Sequence, residues 1–273
     1  VTDTSSTTVH SVETGDGDHR VVFLHGLFGR GKNFSMIAKG LQPEFRSLLV
    51  DLPNHGQSDW TEELDYLQLA DQVAEHLESS FAADGPVDVV GHSMGGKVAM
   101  VLALRHPELV RKLVIIDISP VGSGSSRSEF HHLLDALAAV DIESAERRSD
   151  VDAALKDPIP EAGVRGFLLQ NLKNDGDGLR WQPNLTLLRS ELETIMGFPD
   201  IETDLNQVQF PGRVLWIAGE KSNYVKDEDE PVMRALFPST IRLKVRGASH
   251  WVHSDRPQEV INALRTFLLS ERK

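Results

Sequence analysis

Ser93 is the residue best placed to do chemistry. It sits in Gly91-His92-Ser93-Met94-Gly95-Gly96, directly behind the apolar run Val87-Asp88-Val89-Val90. Apolar run, glycine-flanked serine and the helix-like segment Lys97 to Arg105 read as strand, tight turn and helix. Such a turn holds the serine in a strained backbone position, with glycines where side chains would collide. The pentapeptide Gly-x-Ser-x-Gly alone is weak evidence; its strand–turn–helix setting is what gives it weight. A serine hydroxyl is a poor nucleophile at neutral pH. It requires a base, a carboxylate to orient that base, two donors for an oxyanion and a cover over the site.

His250 is the expected base, in the turn-rich loop Gly247-Ala248-Ser249-His250-Trp251-Val252-His253. His253 is its competitor, and Trp251-Val252 between them predicts one histidine facing in and one facing out. His92 is expected to point away from the serine and pack, and His25 to support its loop. The oxyanion donors are expected from the backbone amides of Met94, next after Ser93, and Leu27, in His25-Gly26-Leu27-Phe28-Gly29. For the acid, Gly219-Glu220-Lys221-Ser222-Asn223-Tyr224-Val225 carries Ser222 where an aspartate would be expected. Glu220 comes two residues early, and Asp227 and Asp229 come late and are expected in solvent. Asp117 ends the aliphatic run Leu113-Val114-Ile115-Ile116, where a buried carboxylate is costly unless paired, and His250 is the obvious partner. Asp117 is therefore assigned as the acid, against the alternative of an aspartate capping the turn at Ser119-Pro120. Ser222 is assigned as a hydrogen-bonding helper to His250 or Asp117.

The elements that must position these residues alternate. Strands are expected at Val9 to Glu13, Val21 to Leu24, Ser47 to Asp51, Val87 to Gly91, Leu113 to Ile118, Arg213 to Gly219 and Ile241 to Val245. Helices are expected at Asn33 to Leu41, Leu64 to Phe81, Pro231 to Phe237 and Pro257 to Leu269. Such alternation implies a mostly parallel sheet flanked by helices, with ligands at the carboxyl ends of the strands. From about Val121 to Gln209 no strand is expected. Helical segments run there over Glu129 to Val140, Ser144 to Leu155, Gly163 to Leu172 and Leu185 to Met196. Polar separators divide them, one being Asn174-Asp175-Gly176-Asp177-Gly178. The expectation is a core of residues 1–120 and 210–273 with a helical cap, 121–209, inserted after the strand ending at Asp117. A separate helical domain is the alternative.

The chain has 273 residues, 40% hydrophobic and 25% charged, long enough to bury a core without staples. It has no cysteine, so neither disulfides nor a thiolate metal site can form, and a cytoplasmic home is expected. A net charge of −13 argues against nucleic acid or an anionic membrane as a partner. No apolar stretch approaches the roughly 18 residues of a membrane span. Val1 to Thr8 lacks a signal peptide's apolar centre, as a trimmed precursor also would. Oligomeric state is left open.

These residues resemble the α/β-hydrolase superfamily, and within it the small bacterial esterases of the YbfF type, from about Val21 to Leu268. The superfamily marks are His25-Gly26-Leu27-Phe28-Gly29, the Ser93 motif and Gly247-Ala248-Ser249-His250, in the chain order Ser, acid, His. Closer to the YbfF group are Asp51-Leu52-Pro53-Asn54-His55-Gly56-Gln57-Ser58, Val114-Ile115-Ile116-Asp117-Ile118-Ser119-Pro120 and Lys221-Ser222-Asn223-Tyr224-Val225. So are Phe167-Leu168-Leu169-Gln170-Asn171-Leu172 and Trp181-Gln182-Pro183-Asn184-Leu185. Pro53 and Pro183 depart from the group's usual basic residues, at the rim or cap and away from the triad. The resemblance implies a triad of Ser93, Asp117 and His250, with Ser222 alongside. It also implies a serine carboxylic ester hydrolase acting on small, short-acyl esters through an acyl-serine, without metal or organic cofactor. Acetyl transfer to a small alcohol, as in homoserine acetyltransferases, is the alternative enzyme. A catalytically inactive hydrolase-fold binding protein is the alternative of another class. A dehalogenase is excluded, since it needs a carboxylate at position 93.

Overall fold

The short aliphatic runs become strands that feed two cores at once. Successive side chains of a strand face opposite sides of a sheet, and Val89 and Val90 accordingly enter different apolar clusters. The computed structural model describes residues 7–122, 127–174, 176 and 178–271. The reading of positions 1–6 as polar, and Asp175 and Asp177 of the separator, lie outside the described residues.

In chain order the first half has β1 (Ser11–Thr14), β2 (His19–Leu24), α1 (Ser35–Gly40), β3 (Phe45–Val50), α2 (Tyr66–Glu78), β4 (Val87–His92), α3 (Met94–Arg105) and β5 (Val110–Ile116). Then come α4 (Arg127–Ala138), α5 (Arg148–Leu155), α6 (Ala162–Leu169), β6 (Leu172–Asn174), β7 (Leu179–Trp181), α7 (Leu185–Ser190) and α8 (Leu192–Met196). The chain closes with β8 (Arg213–Gly219), α9 (Glu230–Leu236), β9 (Thr240–Val245), α10 (Val252–Asp255) and α11 (Pro257–Leu269). The seven-stranded sheet has the order β1-β3-β2-β4-β5-β8-β9, with β1 antiparallel and the others parallel. One face is covered by α2 and α3, the other by α1 and α11. Helix α2 begins at Tyr66 rather than at the expected Leu64, because Asp65 caps it, accepting from the Leu67 and Gln68 amides at 2.6 and 3.0 Å. Its Leu69, Ala70, Val73, Ala74 and Leu77 form the buried stripe.

The segment between β5 and β8 departs from its expectation in three places. Leu172–Asn174 and Leu179–Trp181 pair as an antiparallel hairpin where no strand was expected. The helix expected from Leu185 to Met196 is broken at Glu191, whose φ and ψ are −97° and 15°. Helix α5 starts at Arg148 rather than Ser144, because Asp150 accepts the Arg147 amide at 2.9 Å and fixes the first turn there. This segment is tied to rim loops of the sheet: Asn171 Nδ2 donates to the Phe28 carbonyl at 2.7 Å, and Gln182 Nε2 to that of Gly56 at 3.1 Å.

Candidate active site

Strand β4 runs straight into Ser93, which adopts φ 53° and ψ −123° as the residue before α3. That left-handed φ is costly for a residue with a Cβ and survives because the surroundings impose it. At Gly91 a Cβ would lie 2.3 Å from the Gly95 carbonyl oxygen, and at Gly95 it would lie 2.3 Å from that of His25. Only glycine lets the turn close this tightly. The Ser93 amide donates to the Ile116 carbonyl at 3.1 Å, so the elbow is also sewn to the end of β5.

His250 arrives from the loop after β9. Its Nε2 lies 3.0 Å from Ser93 Oγ and its Nδ1 2.7 Å from Asp117 Oδ2. Asp117 is fully buried at the end of β5, and its φ of 53° turns the side chain across the rim. Its Oδ1 accepts from the Gly219 amide at 2.9 Å, and its Oδ2 also accepts from the Ser222 hydroxyl. Neither oxygen caps the turn at Ser119-Pro120. Hydroxyl, imidazole and carboxylate thus form one hydrogen-bonded chain. An imidazole so held, with Nδ1–H fixed by the carboxylate, presents its unprotonated Nε2 to a serine hydroxyl. Leu27 and Met94 border the space beside Ser93; Met94 opens α3, where the first amides have no partner inside the helix.

Histidines surround this chain without joining it. His92 Nε2 donates to the His250 carbonyl at 2.9 Å, which fixes the base through its backbone. His25 donates Nδ1–H to the Gly26 carbonyl and accepts the Leu52 amide on Nε2, holding the Leu27 loop. Burial pulls His92 well below its ordinary value, with the nearby His253 and His250 adding to the shift. Burial likewise lowers His25, drops His253 to about 4 and His55 to about 3.

Two expectations fail. His253 faces in as well: the chain leaves the extended conformation at Trp251 and α10 starts at Val252, so the alternation expected across Trp251-Val252 does not hold. It is buried, stacked on Phe34 with centroids 4.8 Å apart, and does not reach Ser93. Asp229 is not in solvent. It is buried and accepts from the Ser119 hydroxyl at 2.8 Å and the Lys226 amide at 3.0 Å. That bond crosses between the end of β5 and the loop after β8, a partnership no local pattern announces. Glu220 is exposed and accepts the Gly247 amide at 2.7 Å, away from the triad. Sequence reasoning passed over Tyr224, whose ring stacks on His250 with centroids 4.0 Å apart, and Lys97, buried one turn beyond Ser93. Lys97 was readable as a charge inside an otherwise apolar helix; Tyr224 lay within the stretch 221–225, but nothing in that pattern marks a ring stacked on His250.

Among the described residues, two cavities border Ser93. One, about 40 Å³, is lined by His250 with Phe28, Phe130, Leu133, Phe167 and Trp251. The other, about 20 Å³, is lined by Leu27, Met94, Lys97, Ile195, Met196 and Tyr224.

The family model for the alpha/beta hydrolase fold matches residues 19–257. The chain is 38% identical over 264 residues to a mouse (Mus musculus) protein named sn-1-specific diacylglycerol lipase ABHD11, covering 93% of this chain and 83% of that one. It is 31% identical over 248 residues to esterase YbfF of Escherichia coli strain K12, covering 91% and 92%. A solved structure titled "Marine microorganism esterase" superposes with a TM-score of 0.89 at 30% identity, covering 96% of this chain and all of that one. Strand order, elbow and family match agree: the chain belongs to the alpha/beta hydrolase fold family.

Proposed function

We propose that this protein is a serine carboxylic ester hydrolase that works through an acyl-serine on small esters with short acyl chains. The carrying observation is the unbroken chain Asp117 Oδ2–His250–Ser93 Oγ, at 2.7 and 3.0 Å, on a strained elbow. In this reading Ser93 attacks the ester carbonyl while His250 takes its proton, and the amides of Leu27 and Met94 receive the oxyanion. Asp117 keeps the imidazole in its productive tautomer, with Ser222 sharing its carboxylate. His250 returns the proton to the departing alcohol, then activates a water that frees the acid from Ser93. This chemistry needs neither metal nor organic cofactor.

The two cavities support an assignment of the ester's halves. The leaving alcohol must meet His250, which lines the larger one, so the acyl group takes the smaller cavity on the Met94 side. Its size supports a short acyl chain, unlike the diacylglycerol in the mouse relative's name. Residues 121–209 act as the cap in this reading, since α4 and α6 supply Phe130 and Phe167 over the core. Among the described residues no helix is long and apolar enough to cross a membrane, and the cysteine-free composition is compatible with the cytoplasmic site of action proposed here.

The test is turnover of p-nitrophenyl acetate by the parent and by Ser93→Ala, with a small alcohol competing against water. The reading predicts free acid as the main product and loss of turnover in the variant. Acylated alcohol in excess would favour the transferase, and an inert parent would favour a binding protein.

A further inference from the structure

Lys97 lies one turn beyond Ser93 in α3, and the acyl-transfer chemistry leaves it unused. It is 1% exposed. Among the described residues no carboxylate pairs with it. Its Nζ donates instead to the carbonyls of Ile195 at 3.4 Å, Met196 at 2.9 Å and Gly197 at 2.5 Å. These close α8, where backbone carbonyls have no helical partner and the helix dipole favours a cation. From α2, the Tyr66 hydroxyl donates to the same Ile195 carbonyl at 2.7 Å. The end of α8 is therefore clamped by two core helices.

The clamp bears on substrate because Ile195, Met196 and Lys97 all line the cavity on the Met94 side of Ser93. Burying an ammonium without an anionic partner is expensive, and burial pulls this one down to about 7. An apolar side chain would fill the same space at less cost, so filling is not the whole role of this position. The three carbonyl bonds are the difference.

We propose that Lys97 determines acyl-chain specificity: by pinning the C-terminal end of α8 it fixes the Ile195–Met196 wall and limits the acyl group to a few carbons. The proposal rests on the esterase reading above and deepens it, since it presumes that the acyl group enters this cavity. It concerns positioning; Lys97 takes no part in the bond-making steps.

The test is a series of p-nitrophenyl esters from acetate to octanoate, with kcat/KM measured for the parent, Lys97→Ala, Lys97→Met and Met196→Ala. The parent favours acetate. In Lys97→Ala the octanoate-to-acetate ratio rises at least about tenfold, the effect of burying roughly two more methylenes. Lys97→Met keeps the bulk without the donors and shifts the ratio the same way by less. A uniform loss on every ester, with the ratio unchanged, overturns the proposal and leaves Lys97 a stabilising residue only. Should Lys97→Ala fail to fold, Met196→Ala removes the wall from its other side, and an unchanged ratio there overturns it equally. A parent inert on every ester defeats the esterase reading and the proposal together; an active parent with a fixed ratio defeats the proposal alone.

Discussion

Asp117 has no exposed surface, and both its oxygens are engaged, by Gly219 on one and by His250 and Ser222 on the other. Asp117→Asn is expected to lower kcat on p-nitrophenyl acetate by up to about 10⁴, because the amide favours the wrong tautomer. Ser222→Ala removes one hydrogen bond to a charged group and should cost about ten- to a hundredfold. Steady-state kinetics of both variants and of Glu220→Gln check this; a larger loss at the exposed Glu220 than at Asp117 would sink the assignment of Asp117 as the acid. Asp117 was legible because a carboxylate ending an aliphatic run demands a partner. Asp229 was not, because its reason is Ser119, 110 residues away in the chain.

At the scale of elements, the Leu27 loop, the proposed oxyanion loop, depends on a segment distant in sequence. Asn171, buried just after α6, donates to the carbonyl of Phe28, whose φ of 61° is itself unusual for a side-chain-bearing residue. Asn171→Leu leaves that carbonyl unpaired, at about 1–3 kcal/mol. We expect a lower Tm together with a fall of about tenfold in kcat and little change in KM. A fall in Tm with unchanged kcat would show that the bond holds the segment between β5 and β8 but not the loop. The inner parallel strands, β4, β5 and β8, could be read from sequence because burial on both faces leaves continuous aliphatic runs. The β6–β7 hairpin could not: three-residue strands carrying Lys173 and Arg180 have no such run.

The whole molecule carries a stability cost for its buried histidines. His253 falls to about 4 and His55 to about 3, both below the ordinary 6.5. Between those values and 6.5 the unfolded chain binds protons that the folded one refuses, so stability falls as pH drops through that window. His253 alone contributes about 2 kcal/mol of this loss at pH 5. His253→Leu should therefore narrow the gap between the urea-unfolding free energies at pH 7 and pH 5. An unchanged gap would mean that another group sets the acid limit. The short helix α10 starts at Val252 and breaks the expected alternation, which is why this cost was invisible in the sequence. The same molecule makes its main statement at one hydroxyl. The most direct measurement is exposure of the parent and of His250→Ala to a fluorophosphonate at pH 7, followed by mass spectrometry of the modified peptide. One adduct per chain, on Ser93, formed rapidly in the parent and at least about 10³ more slowly in the variant, is the predicted result. A parent that takes no adduct, or takes it on another residue, would contradict the account.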